Sequence, residues 1–145
     1  MATTTTLEFP SHARFSETRD FIVATIMAGI LDDVWHHGKH AADTANACMM
    51  PEHVTLIYEI KLSPETPYDT TEICSSAIQI LVGIIKASSV LCPTTDVADR
   101  GDYFNVEHSV FFTTTRDSAT SRKTTPCHVI RVLRTRFVEL ASSSS

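Results

Sequence analysis

Residues 16–40, SETRDFIVATIMAGILDDVWHHGKH, decide how the rest of the chain is read. At 100° per residue, Val23, Met27, Ile30, Leu31, Val34 and Trp35 fall on one broad face. Thr25, Gly29, Asp32, Asp33, His36 and His40 fall roughly opposite. That pattern predicts an amphipathic core helix with a narrow polar stripe. Ser16 is placed to cap it, and Glu17 and Asp20 sit in the first turn, where the helix dipole favours negative charge. The helix should run to about Gly38, and Pro51 should close the segment that follows.

Downstream, residues 54–62, VTLIYEIKL, alternate strictly. Val54, Leu56, Tyr58, Ile60 and Leu62 point one way, and Thr55, Ile57, Glu59 and Lys61 the other. A strand with one apolar face belongs to a sheet covered on one side, which points to antiparallel pairing. After the turn SPETPY (63–68), Asp69 and Glu72 have capping-box spacing, and Tyr68 and Ile73 stand at the two positions of a hydrophobic staple. The helix they start must stop before Pro93. Ile73, Ala77, Ile80, Leu81, Ile84 and Leu91 make its main face, and Ile78, Val82 and Ile85 make it apolar nearly all round. Such a helix is buried on more than one side. In a domain this small, the second side suggests a subunit partner.

Residues 2–9, ATTTTLEF, read as a short edge strand or an arm, ended by Pro10 and Ser11. Residues 103–115, YFNVEHSVFFTTT, have strand composition. Residues 94–102 form an acidic loop and 116–125 a polar, basic one. Residues 126–140, PCHVIRVLRTRFVEL, fit a strand or a helix started at Thr125–Pro126; the strand is preferred because a thin sheet needs partners. The expected fold is α+β: two long helices packed on one face of a three- to four-stranded, mostly antiparallel sheet. Residues 1–15 would be an N-terminal arm, 16–140 the single domain, and 141–145 a frayed tail.

The length, 145 residues, is that of one domain with a real core. Four glycines and six prolines exclude a linker or low-complexity chain. The net charge of −5 is unevenly spread. Residues 1–115 carry six Lys/Arg against fifteen Asp/Glu, and residues 116–145 carry six against two. That asymmetry points to an anionic partner or to self-association. Cys48, Cys74, Cys92 and Cys127 make no CxxC pair, which suggests a reducing, cytoplasmic setting. No membrane span is expected, because 21–31 is too short and 73–92 is interrupted by Ser75, Ser76, Gln79, Lys86, Ser88 and Ser89. The opening MATTTTLEFP has no basic region followed by an apolar run, so it does not read as a signal peptide.

Three clusters are candidates for chemistry. Within DDVWHHGKHAAD (32–43), Asp32, His36 and His40 stack one helical turn apart, a spacing that suits a divalent ion or a shared proton. The stripe lies opposite the apolar face and lacks HExxH, so a solvated polar face without metal is expected. Glu107 and His108, with Tyr58, Tyr103 and His53, would suit proton transfer if the sheet brought them together, although ordinary strand alternation is the simpler account. Arg116, Arg122, Lys123, Arg131, Arg134 and Arg136 could contact phosphates, but aromatic residues are not interleaved with them apart from Phe137. GxGxxG, GxxxxGK[ST] and GxSxG are all absent.

The sequence therefore favours a self-associating protein-interaction module without catalysis or cofactor. Its homo-oligomer interface would use Ile78, Val82, Ile85, Arg131 and Arg134. The alternative is a cofactor-independent lyase or isomerase in which Asp33, His36 or His108 moves the proton. A third reading is RNA binding through the basic C-terminal segment.

Overall fold

The structure, a computed structural model, describes residues 2–37, 49–88, 91, 104–116 and 121–139, with backbone alone at 36–37, 49–52 and 136–139. The elements run β1 (Ala2–Phe9), α1 (Phe15–His37), β2 (Met49–Leu62), α2 (Thr70–Ala87), β3 (Phe104–Arg116) and β4 (Arg122–Glu139). The fold is α+β, with two helices and one four-stranded sheet of order β1-β2-β4-β3. The acidic 94–102 loop, His40 and Tyr103 lie outside the described residues.

The sheet is mixed. β1 pairs parallel with β2, while β2–β4 and β3–β4 are antiparallel. Strand alternation read from 54–62 says that one face is covered, and cannot say that β1 runs beside β2 in the same direction. The parallel pair follows from chain economy: α1 stands between β1 and β2, and a helical crossover returns the chain to the same end of the sheet.

β3 and β4 form one long hairpin. Arg116 pairs with Arg122, so strand structure continues into residues expected to be a basic loop. Two prolines lie inside strands, each where the strand has lost a neighbour. Pro51 pairs with Phe137 of β4, beyond the reach of β1, whose pairing with β2 begins at Thr55. Pro126 pairs with Phe112 of β3, beyond the last β2–β4 pair at Ile60–His128. A strand edge tolerates the missing N–H that a central position would not.

α1 begins one residue before the expected cap, after a turn closed by Ala13 N–H to the Pro10 carbonyl at 3.1 Å. Its buried stripe is Thr18, Ile22, Val23, Ile26 and Ile30. That stripe is rotated from the expected face: Leu31 and Trp35 are exposed, and Gly29 and Asp33 turn toward the sheet. Gly29 fits there because it has no side chain. A Cβ would run into the Tyr58 hydroxyl and would stand 3.4 Å from its Cζ.

α2 starts at its expected cap: Asp69 Oδ1 accepts from the Thr71 N–H at 3.1 Å. Ile73, Cys74, Ala77, Leu81 and Ile85 are its buried residues. The Tyr68 hydroxyl ties the two helix starts together. It donates to the Ala13 carbonyl at 2.9 Å and accepts from the buried Thr18 hydroxyl at 3.0 Å. Phe15 packs edge-on to the Tyr68 ring at 5.3 Å. The core joins these helix stripes to Leu7, Tyr58, Ile60, Phe104, Ile130 and Val132 of the sheet.

Candidate functional site

Two of the residues singled out from sequence meet each other. Asp33, near the C-terminal end of α1, forms an ion pair with Arg134 of β4. Their side chains are only 12% and 9% exposed, and the Arg134 guanidinium lies 6.0 Å from the centre of the Phe104 ring. Arg134 is thus spent inside the subunit. A carboxylate held this way clamps a helix to a strand.

His108 stands elsewhere. The register sets Phe104 opposite Arg134 and His108 opposite Ile130, four residues further along. That offset is about 13 Å along a strand. Asp33 and His108 therefore do not share a site. His36 lies in the last turn of α1, and its side chain is outside the described residues. Tyr58 is buried beneath Gly29, and its hydroxyl is pushed above the ordinary tyrosine range by that burial. His53 is exposed near Thr135, and Glu107 is exposed on the opposite face of β3, accepting from Asn105 Nδ2 at 3.1 Å.

What His108 does meet is His128, a residue that sequence reasoning passed over. His128 pairs in register with Val110, so the two imidazoles are diagonal neighbours on the face that the helices cover. His108 Nε2 and His128 Nδ1 are 3.1 Å apart. The ring planes are within 12° of parallel and the centroids 5.3 Å apart. A nitrogen separation below the roughly 3.5 Å gap of stacked rings means that the rings meet edge to edge. One ring donates and the other accepts. Burial pushes both imidazoles below the ordinary histidine range, with His128 adding to the effect on His108, while the Asp69 charge opposes it. The Cys74 thiol of α2 completes the group: it is fully buried, and that burial together with Asp69 holds it at about 12.

The residues expected at an interface are spread over different surroundings. On α2, Ile85 is buried, Ile78 and Val82 are half-buried, and Ile84 is 40% exposed. α2 is long and apolar enough to cross a bilayer by length and composition, and its buried residues belong to the core. Arg131 is exposed on the face of the sheet away from the core cluster, opposite Glu107 in register. The apolar surface left open is divided between α1, where Phe21, Leu31 and Trp35 are 56%, 47% and 73% exposed, and three consecutive residues of β3. Val110, Phe111 and Phe112 are 42%, 50% and 68% exposed, and residues 111–116 and 121–126 are exposed throughout. Here the hairpin has outrun β2 and continues as a two-stranded arm, basic at Arg116, Arg122 and Lys123. Alternation had hidden this stretch, because consecutive apolar residues in a strand look the same whether both faces are covered or both are bare.

No protein-family model matches the chain, and no curated protein resembles it in sequence.

Proposed function

We propose that the chain is a small self-associating interaction module, and that a second copy pairs with it along β3. The observation that carries this reading is the run Val110, Phe111 and Phe112, exposed on a strand that is the edge of the sheet and has no outer strand partner among the described residues. Soluble proteins usually blunt such an edge with lysine, proline or a covering segment. Residues 104–115 of β3 contain neither of those side chains.

The strand is also complementary to itself. In a two-fold antiparallel pairing centred on Phe111, that ring meets its own copy on one face. On the other face Val110 lies beside Phe112 of the copy. Glu107 of one copy then stands opposite Thr115 of the other, one strand away from the Lys123 that pairs with Thr115. Half or more of each phenylalanine is open. Covering that surface on two copies is worth roughly 12 kcal/mol gross at about 25 cal/mol per Å². Association itself costs about 4–15 kcal/mol. A reversible dimer no tighter than about micromolar follows from that balance, with strand hydrogen bonds adding to it and setting its geometry.

Light scattering on the purified chain at tens of micromolar tests this. A dimer that dissociates on Phe111→Lys supports the reading, and a strict monomer overturns it. The basic tip of the arm favours RNA as a second reading, which predicts affinity that falls steeply with salt.

A further inference from the structure

We propose that Cys74, His108 and His128 bind one transition-metal ion, with Zn²⁺ the best match to the donor set. The three come from α2, β3 and β4, and their ligand atoms all lie within 4.8 Å of one another. A thiolate with two imidazoles selects Zn²⁺ and its soft neighbours over Mg²⁺ or Ca²⁺, which prefer oxygen.

The spacing is close to what an ion requires. Nitrogens about 2.0–2.1 Å from a tetrahedral Zn²⁺ stand roughly 3.3 Å apart, and a sulfur at about 2.3 Å stands roughly 3.6 Å from each. The two imidazole nitrogens are 3.1 Å apart already. Metal binding would require each ring to turn about its Cβ–Cγ bond, so that its lone pair points at a common centre instead of at the other ring. The thiol needs to close by about an ångström at most, and it sits on the stripe of α2 that faces the core.

The surroundings suit the same use. Both imidazoles are biased toward their neutral, ligating form by burial. The thiol is inert as it stands, and an incoming cation supplies the charge that makes a buried thiolate tolerable. On binding, the Cys74 proton leaves to solvent and a metal–sulfur bond forms. The proton shared between the imidazoles moves to the outer nitrogen of the ring that donated it. One proton is released per ion, and no oxidant or reductant is involved. Asp69, whose charge acts on all three groups, offsets the remaining positive charge. The fourth position opens on the imidazole side, where both rings are partly exposed.

The test is titration of the metal-free full chain with Co²⁺, followed by absorption. One equivalent should produce a thiolate-to-cobalt band in the near ultraviolet and strong visible bands. Cys74→Ser should abolish the near-ultraviolet band. His108→Gln and His128→Gln should each weaken binding by more than the 10–100-fold that loss of an outer partner costs. The triple variant His36→Ala, His37→Ala, His40→Ala should bind as the parent does. If Cys74→Ser fails to fold, protection of Cys74 from iodoacetamide by one equivalent of Zn²⁺ in the parent, lost in His128→Gln, is the second readout. The proposal is overturned if no stoichiometric cobalt signal forms, if the signal survives Cys74→Ser, if the triple variant loses it, or if Zn²⁺ leaves Cys74 alkylation unchanged.

Discussion

The Arg134 guanidinium donates to the Asp33 carboxylate across 101 positions of sequence, tying the C-terminal part of α1 to β4 where that strand faces Val54 on one side and Phe104 on the other. Both side chains are nearly enclosed. Removing one partner strands the other charge in a poorly solvated place, which costs about 3–5 kcal/mol for a buried pair. Asp33→Ala should therefore lower stability by that order in urea denaturation. The double variant Asp33→Leu, Arg134→Met should recover most of the loss, because well-packed apolar residues can replace a buried pair at little cost. Equal destabilisation in the single and double variants would show that the pair is not what holds α1 to the sheet.

Gly29 is required by contact rather than by backbone freedom. A methyl group there would overlap the Tyr58 hydroxyl. Gly29→Ala should destabilise the chain by about 1–3 kcal/mol, the range of an overpacked core, even though alanine is the better helix former. Adding Tyr58→Phe removes the obstructing oxygen and leaves the ring carbon at ordinary contact distance. The pair should then be more stable than Gly29→Ala alone. Independent, additive losses in the double-mutant cycle would contradict this packing.

These two contacts mark how far the sequence could be read. The existence of α1, β2 and α2 was legible, because each depends on short-range pattern: strict alternation in 54–62, the cap at Asp69, and the apolar content of both helices, whereas 2–9 also fitted an arm and 126–140 a helix, since only distant pairing makes them β1 and β4. The facing of α1 was not. Apolar residues lie nearly all round it, so its orientation is set by what the sheet offers: a hole over Tyr58 for Gly29, and Arg134 for Asp33. His128 was illegible for a related reason. It stands 20 positions from His108 and 54 from Cys74, and only the β3–β4 register and the docking of α2 bring the three together.

The pH dependence has a definite sign at Tyr58. Its burial raises the phenol above the ordinary value of 10.0. The unfolded chain thus loses this proton at lower pH than the folded one, and rising pH favours unfolding. The contribution is complete below about pH 10 and is lost as pH climbs through the folded-state value. Tyr58→Phe should flatten the alkaline limb of a stability–pH curve relative to the parent, while the two curves run parallel near neutrality. An unchanged alkaline slope would remove Tyr58 from the account.

The link between the two helix starts is polar and small. Tyr68→Phe deletes a hydroxyl that donates to the Ala13 carbonyl and accepts from Thr18. It leaves the Thr18 hydroxyl, itself buried, without this partner. A loss of about 1–3 kcal/mol is expected, the cost of an unsatisfied buried group. Thr18→Val in the Tyr68→Phe background should restore part of it, because two apolar groups of matching shape replace the polar pair. Hydrogen exchange at the first turn of α1 reads the same change locally, and full protection there in Tyr68→Phe would refute the link.

The arm separates stability from association. Phe111 and Phe112 are half or more exposed, so replacing them removes little from the folded monomer. Phe111→Lys and Phe112→Lys should each leave the monomer's unfolding free energy, read from urea denaturation, within about 0.5 kcal/mol of the parent, as surface changes do. A lysine on an open edge also brings a charge that a second strand must desolvate, so both variants should shift the monomer–dimer balance toward monomer. Salt tells the occupants apart. A dimer held mainly by apolar contact should persist or tighten as salt rises, because excluded salts strengthen burial. RNA held by Arg116, Arg122 and Lys123 should dissociate, because phosphate contacts release counterions. Sedimentation velocity at low and high salt, with and without a single-stranded RNA, reads both outcomes. A dimer that dissolves in salt, or that ignores both lysine substitutions, would place the contact somewhere other than β3.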